Sequence, residues 1–154
     1  MIENTIMQES SPKLRIFDLE ERTIRFAHNI REFVKKLPVS DWNVEDKKQL
    51  VRSSGAIGAN YIEANKSLGK RDFLMRTRTS RKEAKESHYW LQLIDAGNDA
   101  NLEIEKSVLT KEADELTRIF SAMVRNYVEK MSAASAKNAQ VTSSREDVRT
   151  NFED

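Results

Sequence analysis

The chain has 154 residues, 33% of them charged, with 26 Lys and Arg against 25 Asp and Glu and hence a net charge near +1. That length suits one domain with a substantial core, and four glycines and two prolines favour helices over a turn-rich sheet. The absence of cysteine excludes disulfides, thiolate catalysis and Cys-based zinc sites and fits a reducing cytoplasm. No run of 18 apolar residues is present to span a membrane, and the first residues, Met1 to Glu9, lack a secretory signal.

Residues 1–17 are expected to form a flexible arm. The first helix is predicted from about Asp18 to Lys36, because Leu19, Thr23, Phe26, Ile30, Phe33 and Leu37 recur at the 4-3-4-3-4 spacing of a buried seam. Acidic residues open it, Lys35 and Lys36 close it as the macrodipole prefers, and Pro38 ends it. The second helix is expected to start near Asn43 as N-cap, with the seam Leu50, Ser54, Ile57, Tyr61, Ala64. Its middle, Arg52 to Ala64, is narrow on nearly every side. Gly55 and Gly58 each cost roughly 1 kcal/mol relative to alanine inside a helix, so they imply a close helix neighbour.

A short link at Asn65–Gly69 permits only an antiparallel hairpin. The third helix then runs from about Lys70 to Asp95 on the seam Phe73, Thr77, Ser80, Ala84, Ser87, Leu91, Ile94. That seam is also small at its centre, so the two narrow faces are expected to meet within the hairpin and account for the glycines. Gly97 to Ser107 reads as a loop. The fourth helix is expected from about Leu109 to Met131, on Leu109, Ala113, Leu116, Phe120, Met123 and Tyr127, with Ile119, Val124 and Val128 widening the stripe. Residues 132–154, poor in large apolar side chains, read as a disordered tail. Residues 18–131 thus form an all-α, antiparallel, up-down-up-down four-helix bundle.

Chemistry is sparse. A di-iron carboxylate bundle needs two Glu-x-x-His pairs, but the residues three before His28 and His88 are Arg25 and Lys85. No phosphate-binding loop, dinucleotide fingerprint, nucleophile elbow or zinc-protease motif occurs. No catalytic residue, metal ligand or cofactor is expected, and the chain reads as a non-enzyme. The polar residues Arg52, Asn60 and Glu63 on the second helix and Arg76, Glu83 and Trp90 on the third read as a structural or interface network, with a binding pocket as the sharper alternative. Arg52 and Glu63 lie about 16 Å apart along the helix, so each needs a partner elsewhere.

The outer face of the third helix carries the one marked charge pattern. Seven basic residues stand against Asp72 and Glu83 between Lys70 and Lys85, a local charge of +5. Arg71, Arg78, Lys82 and Lys85 project away from the seam, Arg81 sits on the shoulder and Tyr89 lies at the end. Such a stripe with an aromatic is a nucleic-acid footprint of low specificity, and a solvated face is the plain alternative.

The run Gln49 to Ala64, then Asp72-Phe73, then Lys82-Glu83-Ala84-Lys85-Glu86-Ser87-His88-Tyr89-Trp90-Leu91, resembles the bacterial four-helix-bundle proteins also called 23S rRNA intervening-sequence proteins. The resemblance covers about residues 17 to 130. It implies a homo-oligomer, most often a pentameric ring, with no established enzymatic activity, coded in some bacteria within an insertion in the 23S rRNA gene. A related bundle accompanies retroelement reverse transcriptases as a nucleic-acid and protein adaptor. The long tail departs from the family's compact ending. The expected function is therefore a cytoplasmic, non-enzymatic homo-oligomer whose partners are itself and RNA or DNA, held by Arg71, Arg78, Arg81, Lys82 and Lys85. The alternative is a protein-interaction adaptor that docks an acidic partner.

Overall fold

The computed structural model describes residues 16–150, and the side chains of 19–145. Four helices follow one another: α1 (Ile16–Lys35), α2 (Asp41–Lys66), α3 (Lys70–Leu93) and α4 (Ala100–Thr150). No strand occurs among the described residues. Of the arm expected at 1–17, residues 1–15 lie outside the described residues and the last two belong to α1. Each helix packs against its neighbours in chain order and α4 returns to α1, while the diagonal backbones stay apart. The result is an antiparallel four-helix bundle.

The four seams meet in the middle. Phe26, Ile30 and Phe33 of α1, Leu50 and Ile57 of α2, Leu91 of α3 and Leu116 and Phe120 of α4 are all buried. Tyr61 and Phe120 meet edge to face across the centre, with centroids 5.5 Å apart. The polar seam positions are satisfied locally: Thr77 Oγ1 donates to the Phe73 carbonyl at 2.8 Å and Ser87 Oγ to that of Glu83 at 2.9 Å. No helix among the described residues is long and apolar enough to cross a membrane.

Four expectations need correction. Asn43 does not cap α2. Ser40 does, its hydroxyl accepting the Asn43 N–H at 3.1 Å, and Asn43 is a buried clamp instead. Its Nδ2 donates to the carbonyls of Pro38 (3.1 Å) and Asp95 (2.9 Å), and its Oδ1 accepts the Asp95 N–H at 3.0 Å. Gly97 and Asn98, at φ of 66° and 61°, turn the chain after α3. The expected loop at 97–107 is consequently short, because Asp99 Oδ1 accepts the N–H groups of Asn101 and Leu102 at 2.9 and 3.1 Å and opens α4 at once.

The third correction concerns the C-terminal segment, which continues as helix to Thr150 where a disordered tail was expected over 132–154, residues 151–154 lying outside the described residues. Residues 132–150 contain no glycine or proline and are rich in good helix formers. A helix already nucleated in the bundle extends through them without a new nucleation cost. Low hydrophobicity there predicts lack of packing, and the side chains from Ser132 to Arg145 are indeed all exposed.

The fourth is the direction of the glycines, which face α1, not α3. A Cβ at Gly58 would lie 2.8 Å from Thr23 Oγ1 and 3.2 Å from Thr23 Cβ. One at Gly55 would meet only Arg31 Nη2, at 3.5 Å. The serines make the hairpin narrow instead.

Candidate nucleic-acid interface

The serines of α2 and α3 set the geometry of the outer groove. Ser53 Oγ and Ser87 Oγ share a hydrogen bond of 2.9 Å, and Ser80 Oγ donates to the Ile57 carbonyl at 2.9 Å. Side chains this small let the two helices lie close together, and that register carries Arg52 of α2 over Glu83 and Glu86 of α3. Its Nη2 donates to Glu86 Oε2 at 2.6 Å, and Nη1 lies 3.5 Å from Glu83 Oε2.

Beside this clamp runs a groove of about 630 Å³, lined from α2 by Gln49 and Arg52 and from α3 by Arg78, Arg81, Lys82, Lys85, Glu86, Tyr89 and Trp90. Four of the five expected stripe residues therefore share one cavity. Arg71 lies in a neighbouring depression of about 410 Å³, which shares Arg78 and Lys82 with the first. Arg71, Arg78, Lys82 and Lys85 are exposed and Arg81 is half-buried. Lys82 Nζ comes 3.9 Å from Glu86 Oε1, whereas Arg71, Arg78, Arg81 and Lys85 make no ion pair among the described residues.

The expected polar network forms in part. Arg76 Nη1 donates to Asn60 Oδ1 at 3.3 Å, and Asn60 Nδ2 donates to the Ala56 carbonyl at 2.9 Å. Arg52 finds its partners on α3, as its position demanded. Glu63 is exposed and joins none of these contacts. Trp90 packs against the core and holds the ring of Tyr89 at 5.1 Å and 76°. Glu86, the nearer partner of Arg52, was missed. Only the hairpin register, with Arg52 opposite residues 83–86, could have pointed to it.

Glu83 is only 7% exposed. Burial, and then the neighbouring Glu86 carboxylate, push its pKa up, against the pull of Arg52 and Lys82. A carboxyl with a raised folded-state pKa favours the fold in its protonated form. Its destabilising contribution is therefore absent below the unfolded value of about 4.5 and grows as pH rises through the folded one. Glu83→Gln should gain stability relative to the parent between pH 4.5 and neutrality in urea unfolding. A difference independent of pH would contradict this reading.

Among the described residues no three His, Cys, Asp or Glu side chains converge to hold a metal. The groove offers cations, an amide, aromatic rings and one carboxylate, Glu86, which is tied to Arg52. With cations in excess, that set can hold a polyanion.

The profile of the 23S rRNA-intervening sequence protein family matches residues 17–122 of the chain. No curated protein matches it. Among solved structures, a protein of unknown function from the S23 ribosomal protein family of Bacteroides thetaiotaomicron is similar, with a TM-score of 0.58 and 23% identity. The match covers 69% of this chain and 97% of that one. At that identity the likeness carries the fold alone. The projecting end of α4 lies beyond the residues that the family profile matches.

Proposed function

This chain belongs to the 23S rRNA-intervening sequence protein family, and from that footing we propose a non-enzymatic, self-associating bundle that binds nucleic acid along the basic groove of α3. The observation that carries the reading is the clustering of cations without acidic partners along one face of α3. Some cations elsewhere are paired within their own helix, as Arg25 is with Glu21 at 3.1 Å, Lys35 with Glu32 at 2.7 Å and Arg118 with Asp114 at 2.9 Å, while others, such as Lys111 and Arg125, stand singly among the described residues. On the outer face of α3, Arg71, Arg78, Arg81 and Lys85 have no such acid among the described residues. Like charges one turn apart cost the isolated helix a few tenths of a kcal/mol per pair, a cost that a bound polyanion would remove.

Self-association rests on the family resemblance, and exposed apolar side chains such as Trp42 on α2 are available to a subunit contact. The assembly proposed is the pentameric ring that the family resemblance implies, working in the cytoplasm. A ring would repeat the groove around its surface, so individually weak phosphate contacts would add through multivalency.

The test is fluorescence anisotropy with labelled RNA and DNA oligonucleotides on the parent and on Arg78→Glu/Lys82→Glu/Lys85→Glu. All three side chains point away from the core, so helicity and light-scattering mass should be unchanged while binding falls below detection. Unchanged affinity in the triple variant would contradict the proposal. So would a parent that fails to bind even at low salt, and the stripe would then fit an acidic protein partner.

A further inference from the structure

The groove does not end on a cation. Arg78, Lys82, Lys85 and Tyr89 stand at i, i+4, i+7 and i+11 on one row of α3, about 16 Å long at 1.5 Å per residue. Tyr89 is 54% exposed at the end of that row. Its hydroxyl has no hydrogen-bond partner among the described residues. The ring is nonetheless held in place, because Trp90 meets it edge to face at 5.1 Å and itself packs against the core. An aromatic ring left in water, braced on one edge by Trp90 and beside a row of cations of which Arg78 and Lys85 make no ion pair among the described residues, is a stacking platform.

Resting on the nucleic-acid reading above, we infer that the groove takes single-stranded nucleic acid, with the cations on the phosphates and an unpaired base stacked on Tyr89. The physics separates the two strand states. A duplex presents its phosphates to Arg78, Lys82 and Lys85, but its bases are already paired and stacked on one another, and their faces are closed to a protein ring. A single strand offers both phosphates and open base faces. Every base has such a face, so the preference is for strandedness and not for sequence. Arg52 bounds the groove on the α2 side, tied to Glu86 at 2.6 Å, which leaves the α3 row to make the contacts.

The experiment compares a single-stranded oligonucleotide of about 12 nucleotides, within the usual span of such grooves, with the duplex of the same sequence. The proteins are the parent, Tyr89→Ala and Tyr89→Phe. The parent should bind the single strand more tightly than the duplex. Tyr89→Ala should weaken single-strand binding about tenfold, as expected for the loss of one base–aromatic stack, and leave duplex affinity and salt dependence alone. Tyr89→Phe keeps the ring and should restore the preference.

Equal affinity of the parent for both forms would overturn the inference and leave the phosphate-binding reading intact. So would an unchanged strand preference in Tyr89→Ala. A change in light-scattering mass in that variant would place Tyr89 in a subunit contact and overturn the inference as well. Failure of both forms to bind the parent would overturn the groove reading and this inference together.

Discussion

Asn43→Ala should be among the most destabilising single truncations in the bundle, although it removes only one small polar side chain. Asn43 is fully buried and its amide uses both ends, donating to the Pro38 and Asp95 carbonyls and accepting the Asp95 N–H. These groups belong to the α1–α2 and α3–α4 connections, so one side chain fastens two loops at the same end of the bundle. Gly97 packs there as well, since a Cβ on it would lie 2.8 Å from Pro38 Cγ. Truncation strands the Asp95 N–H and two carbonyls in a site too small to hydrate freely. Each stranded group costs about 1–3 kcal/mol. Asn43→Asp keeps the acceptor but sets a carboxylate against two carbonyl oxygens, so it should be at least as harmful at neutral pH. Urea unfolding measures both, and a loss below about 0.5 kcal/mol, the level of an ordinary surface change, would contradict the clamp.

The second large effect is expected at Gly58. Thr23, which faces it, is β-branched, fully buried, and held by a 2.8 Å hydrogen bond from Oγ1 to the Glu20 carbonyl. It cannot swing aside as a long surface side chain would. Gly58→Leu should therefore wedge α1 away from α2, with an overpacking cost of about 1–3 kcal/mol or more, and lower the melting temperature by several degrees. Gly55 supplies the internal contrast. Its added Cβ meets only the far end of Arg31 at ordinary contact distance. Gly55→Ala should thus gain up to about 1 kcal/mol of helix propensity. Thr23→Ala should relieve much of the penalty of Gly58→Ala in a double-mutant cycle. Equal tolerance at the two glycines would show that close approach to α1 is not what Gly58 provides.

The seams were legible because periodicity alone assigns a helix face. Phe26, Ile30, Leu50, Ile57, Leu91, Leu116 and Phe120 all fall where that spacing puts them. What periodicity leaves open is which face meets which neighbour. α2 is small on two sides, and only packing reveals that Ser53 turns to α3 while Gly58 turns to α1. Asn43 shows the same limit at a loop. Ser40 and Asn43 are both good capping residues, and nothing local says that one caps while the other reaches Asp95, 52 residues away. The C-terminal segment exposes a different ambiguity, since composition reports burial more directly than helicity.

The candidate interface was legible to a similar depth. Once the seam of α3 is known, Arg78, Lys82 and Lys85 must face outward, so the stripe follows from sequence. The groove does not, because its far wall, Gln49 and Arg52, comes from α2 and depends on the register of the serine-lined hairpin. The separation of Glu63 from the network has the same origin, since the partners open to each α2 side chain are set by that register.

The most direct measurement is the affinity of the unmodified protein for a single-stranded oligonucleotide across a range of salt concentrations. If Arg78, Arg81, Lys82 and Lys85 each displace counterions from a phosphate, log K should fall against log salt with a slope of about −3, at roughly −0.7 per contact for a single strand. A flat line would mean that the groove of α3 does not hold a nucleic-acid backbone.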